Sequence, residues 1–434
     1  MARDPRFDGR FFVAVKTTKI FCRPICPANL PKEENVEYFE HSSQALEAGY
    51  RPCLRCRPDS APQSWAWKGT ETTFQRAMSL IDDGALQQGS LAELSERLGI
   101  SDRYLRQLFN EHLGLSPKQY ALYQQLMFAK QLLHTSQLSI TDVAYASGFN
   151  SVRRFNDAFV KSLKLAPNQV RKDAKGSASN TLTLSYRGQL NWQHMLDFYR
   201  LRALDGIETV IEDAYQRRVE VNGQQAWFSA KNTGKALEVE FEIEDLKQVR
   251  HLVKGIRRLF DLDADTDVIE SHLKLVSPEL VSTQGIRIPG VWSTWEAGVR
   301  AILGQQVSVK AAIGQLNLLA QQLNGNQHFP TISEVANADL DFLRMPQSRK
   351  ETLKRFAIYN LDNPNTHPQE WLTLKGIGPW TVSYALLRGL SEPDCLLDKD
   401  LIVKRVMDKF PSITTAAVSP WGSYATFHCW SHTL

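Results

Sequence analysis

Four of the six cysteines in this 434-residue chain lie in one short segment, within the sequences FCRPIC and RPCLRC. The four are Cys22, Cys26, Cys53 and Cys56, with the spacing C-x3-C-x26-C-x2-C. Four thiolates are a complete ligand set for tetrahedral Zn²⁺, and the metal keeps sulfur deprotonated. The spacing therefore predicts a zinc site, which either stabilises a small segment or supplies a nucleophilic thiolate.

The positive charge of the chain lies beside these cysteines. The formal net charge is +4, and residues 1–173 hold 23 Lys and Arg against 18 Asp and Glu, whereas the remainder holds 28 against 29. A basic excess of this size is compatible with nucleic-acid binding but does not establish it. The sequence has neither a bilayer-length apolar run nor an apolar secretory segment, so we expect a cytoplasmic protein with no membrane partner.

Two segments that lack hydrophobic periodicity, 57–63 and 173–181, favour linkers. Residues 65–172 between them are predicted to be helical, with an internal repeat in which SLAEL at 90–94 matches SITDV at 139–143. In each copy a serine-capped helix, a glycine turn and a second helix indicate a helix-turn-helix. We predict that outward side chains of the two second helices contact DNA: Arg103, Arg106, Gln107, Asn110, Arg153, Arg154, Asn156 and Lys161. This pair of units resembles the DNA-binding domain of AraC-type regulators.

The cysteine segment, including the residues between the ligands, resembles the N-terminal domain of Ada-type alkylation-response proteins over nearly all of residues 1–60. The resemblance implies that Cys22 irreversibly accepts a methyl group from a DNA methylphosphotriester. Methylation changes the formal charge of a zinc-bound site from about −2 to about −1, so repulsion from phosphates falls and DNA binding strengthens. Basic residues near the ligands are the predicted phosphate contacts: Lys16, Arg23, Arg51 and Arg55.

The last third of the chain contains KGIGPWT at 375–381, typical of a helix-hairpin-helix in which Gly376 and Gly378 let backbone amides approach a phosphate. Strand patterns at 182–186 and 236–243 and helical patterns at 192–204 and 244–260 precede it. From about residue 286 onward the apolar spacing is helical, at 295–323, 352–360, 379–389 and 399–409.

Residues 182–434 resemble the AlkA-type 3-methyladenine DNA glycosylases. The resemblance implies an extruded base and a carboxylate that assists its departure, which we assign to Asp400 and not to its neighbour Asp398. The resemblance also implies that four aromatic side chains form the walls of the base pocket, where their electron-rich faces attract a cationic base. These residues are Phe198, Trp380, Tyr384 and Trp430. Trp380 stands where strand-cutting relatives carry a Schiff-base lysine, so we expect a monofunctional enzyme.

The chain departs from that family at two positions. Gln306 stands where a leucine wedge enters DNA, and Ser431 where a tyrosine lines the pocket, which leaves the preferred lesion open. The backbone carbonyls of Leu372, Leu374 and Ile377 in the hairpin could hold a monovalent cation.

The predicted fold is multidomain, with a small zinc α/β domain, an all-α AraC-type double helix-turn-helix, an AlkA-like α+β domain and an all-α helix-hairpin-helix glycosylase domain. The expected boundaries are 1–62, 65–172, 181–285 and 286–434. We expect a bacterial monomer that binds double-stranded DNA, senses methylated backbone, activates transcription with RNA polymerase and excises alkylated bases. The alternative is a regulator whose glycosylase-like half is an inactive DNA clamp.

Overall fold

The computed structural model describes residues 11–432 except 25, 27, 30, 54, 57, 59–72, 172–179 and 365. The chain forms two compact units, of which the first comprises Met1–Leu182 with Asp245–His251 and the second Thr183–Glu244 with Leu252–Leu434. Most of the two predicted linkers lies outside the described residues. Within the described part of the chain, no helix is long and apolar enough to cross a membrane.

The first unit begins with a four-stranded sheet and one helix, with bounds β1 Phe12–Val15, β2 Ile20–Cys22, β3 Val36–Phe39, β4 Arg51–Pro52 and α1 Ser42–Glu47. The strand order is β3-β1-β2-β4, antiparallel except for the parallel pair β2–β4. Phe12, Phe21 and Tyr50 fill its small core. Because β2 and β4 run parallel, Cys22 at the end of β2 lies near Cys53, which directly follows β4.

Eight helices follow in the first unit: α2 Thr73–Asp82, α3 Ala85–Gln88, α4 Leu91–Leu98, α5 Asp102–Leu113, α6 Pro117–Thr135, α7 Ile140–Ala146, α8 Val152–Leu163 and α9 Pro167–Val170. The predicted repeat is confirmed, since α4–α5 and α7–α8 are two helix-turn-helix pairs. Ser90 and Ser139 cap α4 and α7, and Gly99 and Gly148 form the turns with positive φ values of 67° and 83°. A residue other than glycine is strained at such a φ, which explains both glycines.

The second unit contains a five-stranded sheet in which β6–β7, β7–β8 and β8–β9 are antiparallel pairs, with bounds β5 Thr181–Ser185, β6 Glu208–Ile211, β7 Ala214–Val221, β8 Gln224–Asn232 and β9 Ala236–Ile243. The strand order is β5-β9-β8-β7-β6, and three helices accompany the sheet: α10 Trp192–Arg200, α11 Val249–Leu259 and α12 Thr266–Val276. The sequence predicted β5 and β9 but not the three strands between them. Arg217 points into the interior from β7, which interrupts the alternation of apolar and polar residues.

The rest of the second unit is helical, as predicted: α13 Thr294–Leu303, α14 Val309–Asn324, α15 Ile332–Asn337, α16 Gln347–Asp362, α17 Pro379–Gly389, α18 Leu401–Lys409, α19 Thr415–Val418 and α20 Gly422–Ser431. The single helical pattern at 295–323 is two helices in the structure. Gly304 ends α13, Gln306 has a φ of +56°, and Ser308 caps α14 by accepting a hydrogen bond from the Ala311 amide. The resulting loop, residues 304–308, is solvent-facing from Gln306 onward.

Candidate functional site

The four clustered cysteines meet in one place. Their Sγ atoms all lie within 4.8 Å of one another. Tetrahedral zinc with Zn–S bonds of about 2.3 Å requires sulfur atoms about 3.8 Å apart, so a small contraction brings this set onto the metal. Cys26, Cys53 and Cys56 are 7%, 8% and 9% exposed, whereas Cys22 is more exposed. The donor set fits Zn²⁺, and Cys22 is the most exposed of the four cysteines.

Backbone hydrogen bonds hold the loops that carry the thiols. The Cys53 amide donates to the Phe21 carbonyl at 2.9 Å, and the Cys26 amide donates to the Arg23 carbonyl at 3.0 Å. The Arg23 amide donates to Cys56 Sγ at 3.4 Å, and its guanidinium Nη1 donates to the Cys56 carbonyl at 3.3 Å. Arg23 is only 9% exposed, so its side chain supports the ligand loop. A phosphate contact by Arg23 stays a prediction.

The other three basic residues near the cysteines differ in accessibility. Arg55 is exposed, and Arg51 is half-buried on β4. Lys16 keeps 44% of its side chain exposed and lies 4.0 Å from Glu37. Arg55 and Lys16 are therefore available to a phosphate without rearrangement of the core.

The two helix-turn-helix units present most of the side chains predicted to contact DNA. In α5 the inward residues Leu105 and Phe109 are fully buried, and in α8 Phe155 and Phe159 are fully buried. The remaining faces carry the predicted contacts. The exposed ones are Arg103, Arg106, Gln107, Asn110, Arg153, Arg154 and Lys161, and Asn156 is half-buried.

The hairpin of the second unit has a conformation that requires glycine at one position. Gly376 has a φ of +95°, and a Cβ there would lie 2.1 Å from Thr352 Oγ1. Gly378 precedes α17 with an ordinary φ of −109° and open space around it. The hairpin turn is held in place by α16, because Arg355 Nη1 on that helix donates to the Lys375 carbonyl at 2.7 Å. Backbone amides at the start of α17 therefore form a fixed edge suited to a phosphate.

The loop at 304–308 is joined to this hairpin by Gln305. Its Nε2 donates to the Gly376 carbonyl at 3.1 Å and to Thr381 Oγ1 at 3.2 Å. Gln306 is exposed beside Val307, which is 41% exposed. Two segments predicted to touch DNA, the loop and the hairpin, are thus held side by side.

Asp400 is the N-cap of α18. Its Oδ1 accepts hydrogen bonds from the amides of Ile402 at 3.0 Å and Val403 at 3.2 Å. The indole Nε1 of Trp430 donates to the same oxygen at 3.1 Å. No described residue donates a hydrogen bond to Oδ2, so the second carboxylate oxygen stays available. The neighbouring Asp398 is exposed and pairs at 3.8 Å with Lys399, which distinguishes the two carboxylates.

The four aromatic residues predicted to form the walls of the base pocket lie in two pairs, and Trp430 contacts Asp400. Trp430 lies nearly parallel to Phe198, with ring centroids 6.4 Å apart and an interplanar angle of 16°. Trp380 stacks on Tyr384 with centroids 5.4 Å apart. All four predicted wall residues are thus in two stacked pairs, one of which is joined to the carboxylate through Trp430. Ser431, which stands where the family resemblance leads us to expect a tyrosine, donates a hydrogen bond from its hydroxyl to the His428 carbonyl.

Two arginines enter this aromatic cluster, and sequence reasoning missed both. Arg202 lies 3.7 Å from the centroid of Phe198, and Arg388 lies 4.9 Å from it. Arg388 Nη1 donates to the Tyr384 hydroxyl at 2.7 Å. Burial would raise the pKa of Tyr384, but the charges of Arg388 and Arg202 outweigh it and lower that pKa. For Arg388 the signal was present in the sequence, because Tyr384 and Arg388 are four residues apart on α17, which places them on one helix face. Arg202 lies in the turn after α10, where helical spacing gives no such signal.

Models of known protein families match three segments of this chain. Residues 1–59 match the metal binding domain of Ada, residues 94–173 a helix-turn-helix domain, and residues 181–293 the AlkA N-terminal domain. A probable bifunctional transcriptional activator/DNA repair enzyme AlkA from Mycobacterium tuberculosis is 32% identical over 471 residues, covering 99% of this chain and 94% of that protein. The chain belongs to this family of bifunctional activators and repair enzymes. It joins an Ada-type zinc domain and an AraC-type helix-turn-helix region to an AlkA-type glycosylase.

Two further relatives match the halves of this bifunctional family member. DNA-3-methyladenine glycosylase 2 from Escherichia coli is 32% identical and covers 57% of this chain and 96% of its own length. The bifunctional transcriptional activator/DNA repair enzyme Ada from the same species is 32% identical and covers 41% of this chain and 49% of its own length. The chain is therefore a DNA-binding transcriptional activator that also carries a DNA glycosylase, and the cysteine cluster is its zinc site.

Proposed function

We propose that Cys22 accepts a methyl group from a methylphosphotriester in DNA and that this transfer activates the regulator. The observation that supports the proposal is the accessibility of Cys22, since the other three thiols are at most 9% exposed. A bound Zn²⁺ would keep the thiols in the thiolate form at neutral pH. Cys26, Cys53 and Cys56 would continue to hold the metal after Cys22 has reacted.

In the transfer, a bond forms between Cys22 Sγ and the methyl carbon. The bond from that carbon to the phosphotriester oxygen breaks, and its electron pair remains on the phosphate, which becomes an ordinary diester anion. The thioether no longer carries the charge of a thiolate, so the protein surface repels neighbouring phosphates less. Lys16 and Arg55 are then the cations best exposed to bind them.

Mass spectrometry of the protein after incubation with methylphosphotriester DNA tests the acceptor. We expect one added methyl on the tryptic peptide that contains Cys22, and none in a Cys22→Ser variant. Because each Cys22 accepts only one methyl group in this proposal, a second equivalent of DNA should add no further methyl to the protein. A methyl found on Cys26, Cys53 or Cys56 would overturn the assignment.

We propose further that the second unit hydrolyses the N-glycosidic bond of alkylated purines such as 3-methyladenine, with Asp400 as the catalytic carboxylate. Breaking this bond leaves positive charge on the sugar, and the bonding electron pair departs with the base. Asp400 keeps one oxygen unpaired while the amides of Ile402 and Val403 and the indole of Trp430 fix the other. A fixed negative charge of this kind stabilises the developing oxocarbenium ion, and water then adds to the sugar.

Base release from duplex DNA that contains 3-methyladenine tests this function. Asp400→Asn preserves an oxygen that can accept the same hydrogen bonds, and we expect it to reduce the single-turnover rate by at least about 100-fold. Asp398→Asn is the matched control and should retain the wild-type rate. If wild type and Asp400→Asn release base equally, Asp400 is not the catalytic carboxylate. If neither releases any base, the chain is a regulator with an inactive glycosylase-like clamp.

The remaining assignments follow from this function. We propose that the chain has four domains, with the boundaries 1–62, 65–172, 181–285 and 286–434. We propose that the side chains predicted above to contact DNA do so, and that Gln306 enters the duplex at the lesion. Trp380 in place of a lysine amine supports a glycosylase without strand cleavage. We also propose that the activator is a cytoplasmic monomer that contacts RNA polymerase. The hairpin carbonyls of Leu372, Leu374 and Ile377 are proposed to hold a monovalent cation when DNA is bound.

A further inference from the structure

The aromatic cluster beside Asp400 carries a positive charge of its own. Arg202 follows α10 and stacks on Phe198 at 3.7 Å, and Phe198 in turn lies parallel to Trp430, whose indole binds Asp400. An unbroken series of contacts therefore connects the guanidinium with the carboxylate. The guanidinium therefore covers a face of the residue that is predicted to be a wall of the base pocket.

Arg202 is held in place by its backbone and by one end of its guanidinium. Arg300 Nη1 donates to the Arg202 carbonyl at 3.0 Å, and Arg202 Nη1 donates to the Phe198 carbonyl at 3.2 Å. The charged groups that act on Arg202 are Arg388, Tyr384 and Arg300, and no described carboxylate is among them. Its remaining donors thus have no acidic partner in the described part of the chain.

The charge of Arg202 persists at neutral pH. Burial and the neighbouring Arg388 lower the pKa of Arg202 only to about 10. Arg388 is 1% exposed, and its three bonded donors all contact neutral oxygens, namely the Tyr384 hydroxyl and the carbonyls of Pro289 and Gly290. Two guanidiniums therefore stand in a poorly hydrated cluster where like charges repel strongly.

We propose that Arg202 determines lesion specificity, by disfavouring purines that carry a positive charge and by donating hydrogen bonds to the carbonyl edge of neutral damaged purines. The proposal rests on the base-excision activity proposed above and specifies its substrate class. A purine methylated at N3 or N7 within DNA is cationic, whereas hypoxanthine is neutral and presents a carbonyl oxygen. Arg202 accordingly lowers the preference of the pocket for cationic methylated purines relative to neutral purines such as hypoxanthine.

The test compares single-turnover release of 3-methyladenine and hypoxanthine from otherwise identical duplexes. Arg202→Met removes the charge and the donors but keeps a long side chain on Phe198, and Arg202→Lys keeps the charge. Arg200→Met is the matched control, because Arg200 is the last residue of α10, two positions before Arg202, and its exposed side chain pairs with Asp197. We expect Arg202→Met to raise the ratio of 3-methyladenine to hypoxanthine rates about tenfold or more, through repulsion removed and a hydrogen bond lost. Arg202→Lys and Arg200→Met should stay within about twofold of wild type.

Each outcome decides the proposal. An unchanged ratio in Arg202→Met, an equal change in Arg200→Met, or a wild type that releases 3-methyladenine but no hypoxanthine overturns the role of Arg202 and leaves the glycosylase intact. Release of neither base by wild type, with Asp400→Asn indistinguishable from it, instead overturns the glycosylase itself. The melting temperature of each variant, measured in parallel, identifies any loss of rate that is due to unfolding.

Discussion

A buried network of four charges in the second unit predicts a pH-dependent loss of stability. Glu208 on β6 and Arg217 on β7 contact Glu296 and Arg300 on α13, and every one of these residues is at most 6% exposed. Glu208 Oε1 accepts from Arg217 Nη1 at 2.8 Å and from the Tyr215 hydroxyl at 2.7 Å, while its Oε2 accepts from Arg300 Nη2 at 2.6 Å. Replacing Glu208 with Gln leaves two buried guanidiniums opposite one carboxylate.

The structure gives the magnitude and the direction of the effect. Removing one partner of a buried ion pair costs about 3–5 kcal/mol. Burial alone would raise the pKa of Glu208, but Arg300 and Arg217 hold it at about 2. An unfolded glutamate has a pKa of about 4.3, so the stabilisation is complete above that pH and is lost as the pH falls towards 2. The difference between wild type and Glu208→Gln should therefore be largest at neutral pH and shrink below pH 4.

Thermal unfolding of the full chain, followed by circular dichroism at pH 7 and at pH 3, measures this difference. A unit of this size loses about 2–4 °C of melting temperature per kcal/mol, which predicts a drop of roughly 6–20 °C at pH 7. Glu240→Gln, on the exposed face of β9, should change nothing. Adding Arg217→Gln to Glu208→Gln should cost less than the two single changes together. A Glu208→Gln protein that melts with the Glu240→Gln control, or that loses as much at pH 3 as at pH 7, would refute the reasoning.

Three other predictions concern single residues. Gln305→Met removes both hydrogen bonds to the hairpin, and we expect about five- to tenfold weaker binding to a lesion duplex by fluorescence anisotropy, at an unchanged melting temperature. Undiminished affinity would show that DNA binding does not require Gln305 to hold the loop beside the hairpin. Gly376→Ala introduces strain at positive φ and a clash with Thr352, so it should lower the melting temperature by several degrees, whereas Gly378→Ala should not. Equal behaviour of the two glycine variants would contradict this. His428 is fully buried without a hydrogen-bond partner in the described residues, and burial lowers its pKa to about 3, so stability is lost as the pH falls below about 6.5. His428→Leu should melt higher than wild type, by a margin greater at pH 5 than at pH 8, and a constant margin would disprove the titration.

Much of the first unit could be predicted because its signals are local. Serine caps, positive-φ glycines and apolar residues one helical turn apart act within a few residues, so both helix-turn-helix pairs could be predicted. The cysteine cluster was also predictable, since few arrangements other than a metal site explain four thiols at this spacing. Strand β7 was missed because Arg217 occupies an interior position, and its partner Glu296 lies 79 residues away in the sequence.

The predicted site around Asp400 shows the same division. Its residue types follow from the sequence and a family resemblance, but its electrostatics do not. Trp430 reaches Asp400 across 30 residues, and Arg388 reaches the Gly290 carbonyl across 98. Contacts between residues so distant depend on how helices pack, and no periodicity within one helix encodes them.

The sequence by itself determined the zinc ligands, the two DNA-reading units, the glycine hairpin and the family, because each of these depends on residue types at short, fixed spacings. Only the tertiary structure decided that Cys22 is the accessible thiol, that Gln305 joins the loop to the hairpin, and that Arg202 covers Phe198. The physical reason is that exposure and charge at a site are sums over all neighbours in space. Those neighbours come from strands and helices that are far apart along the chain.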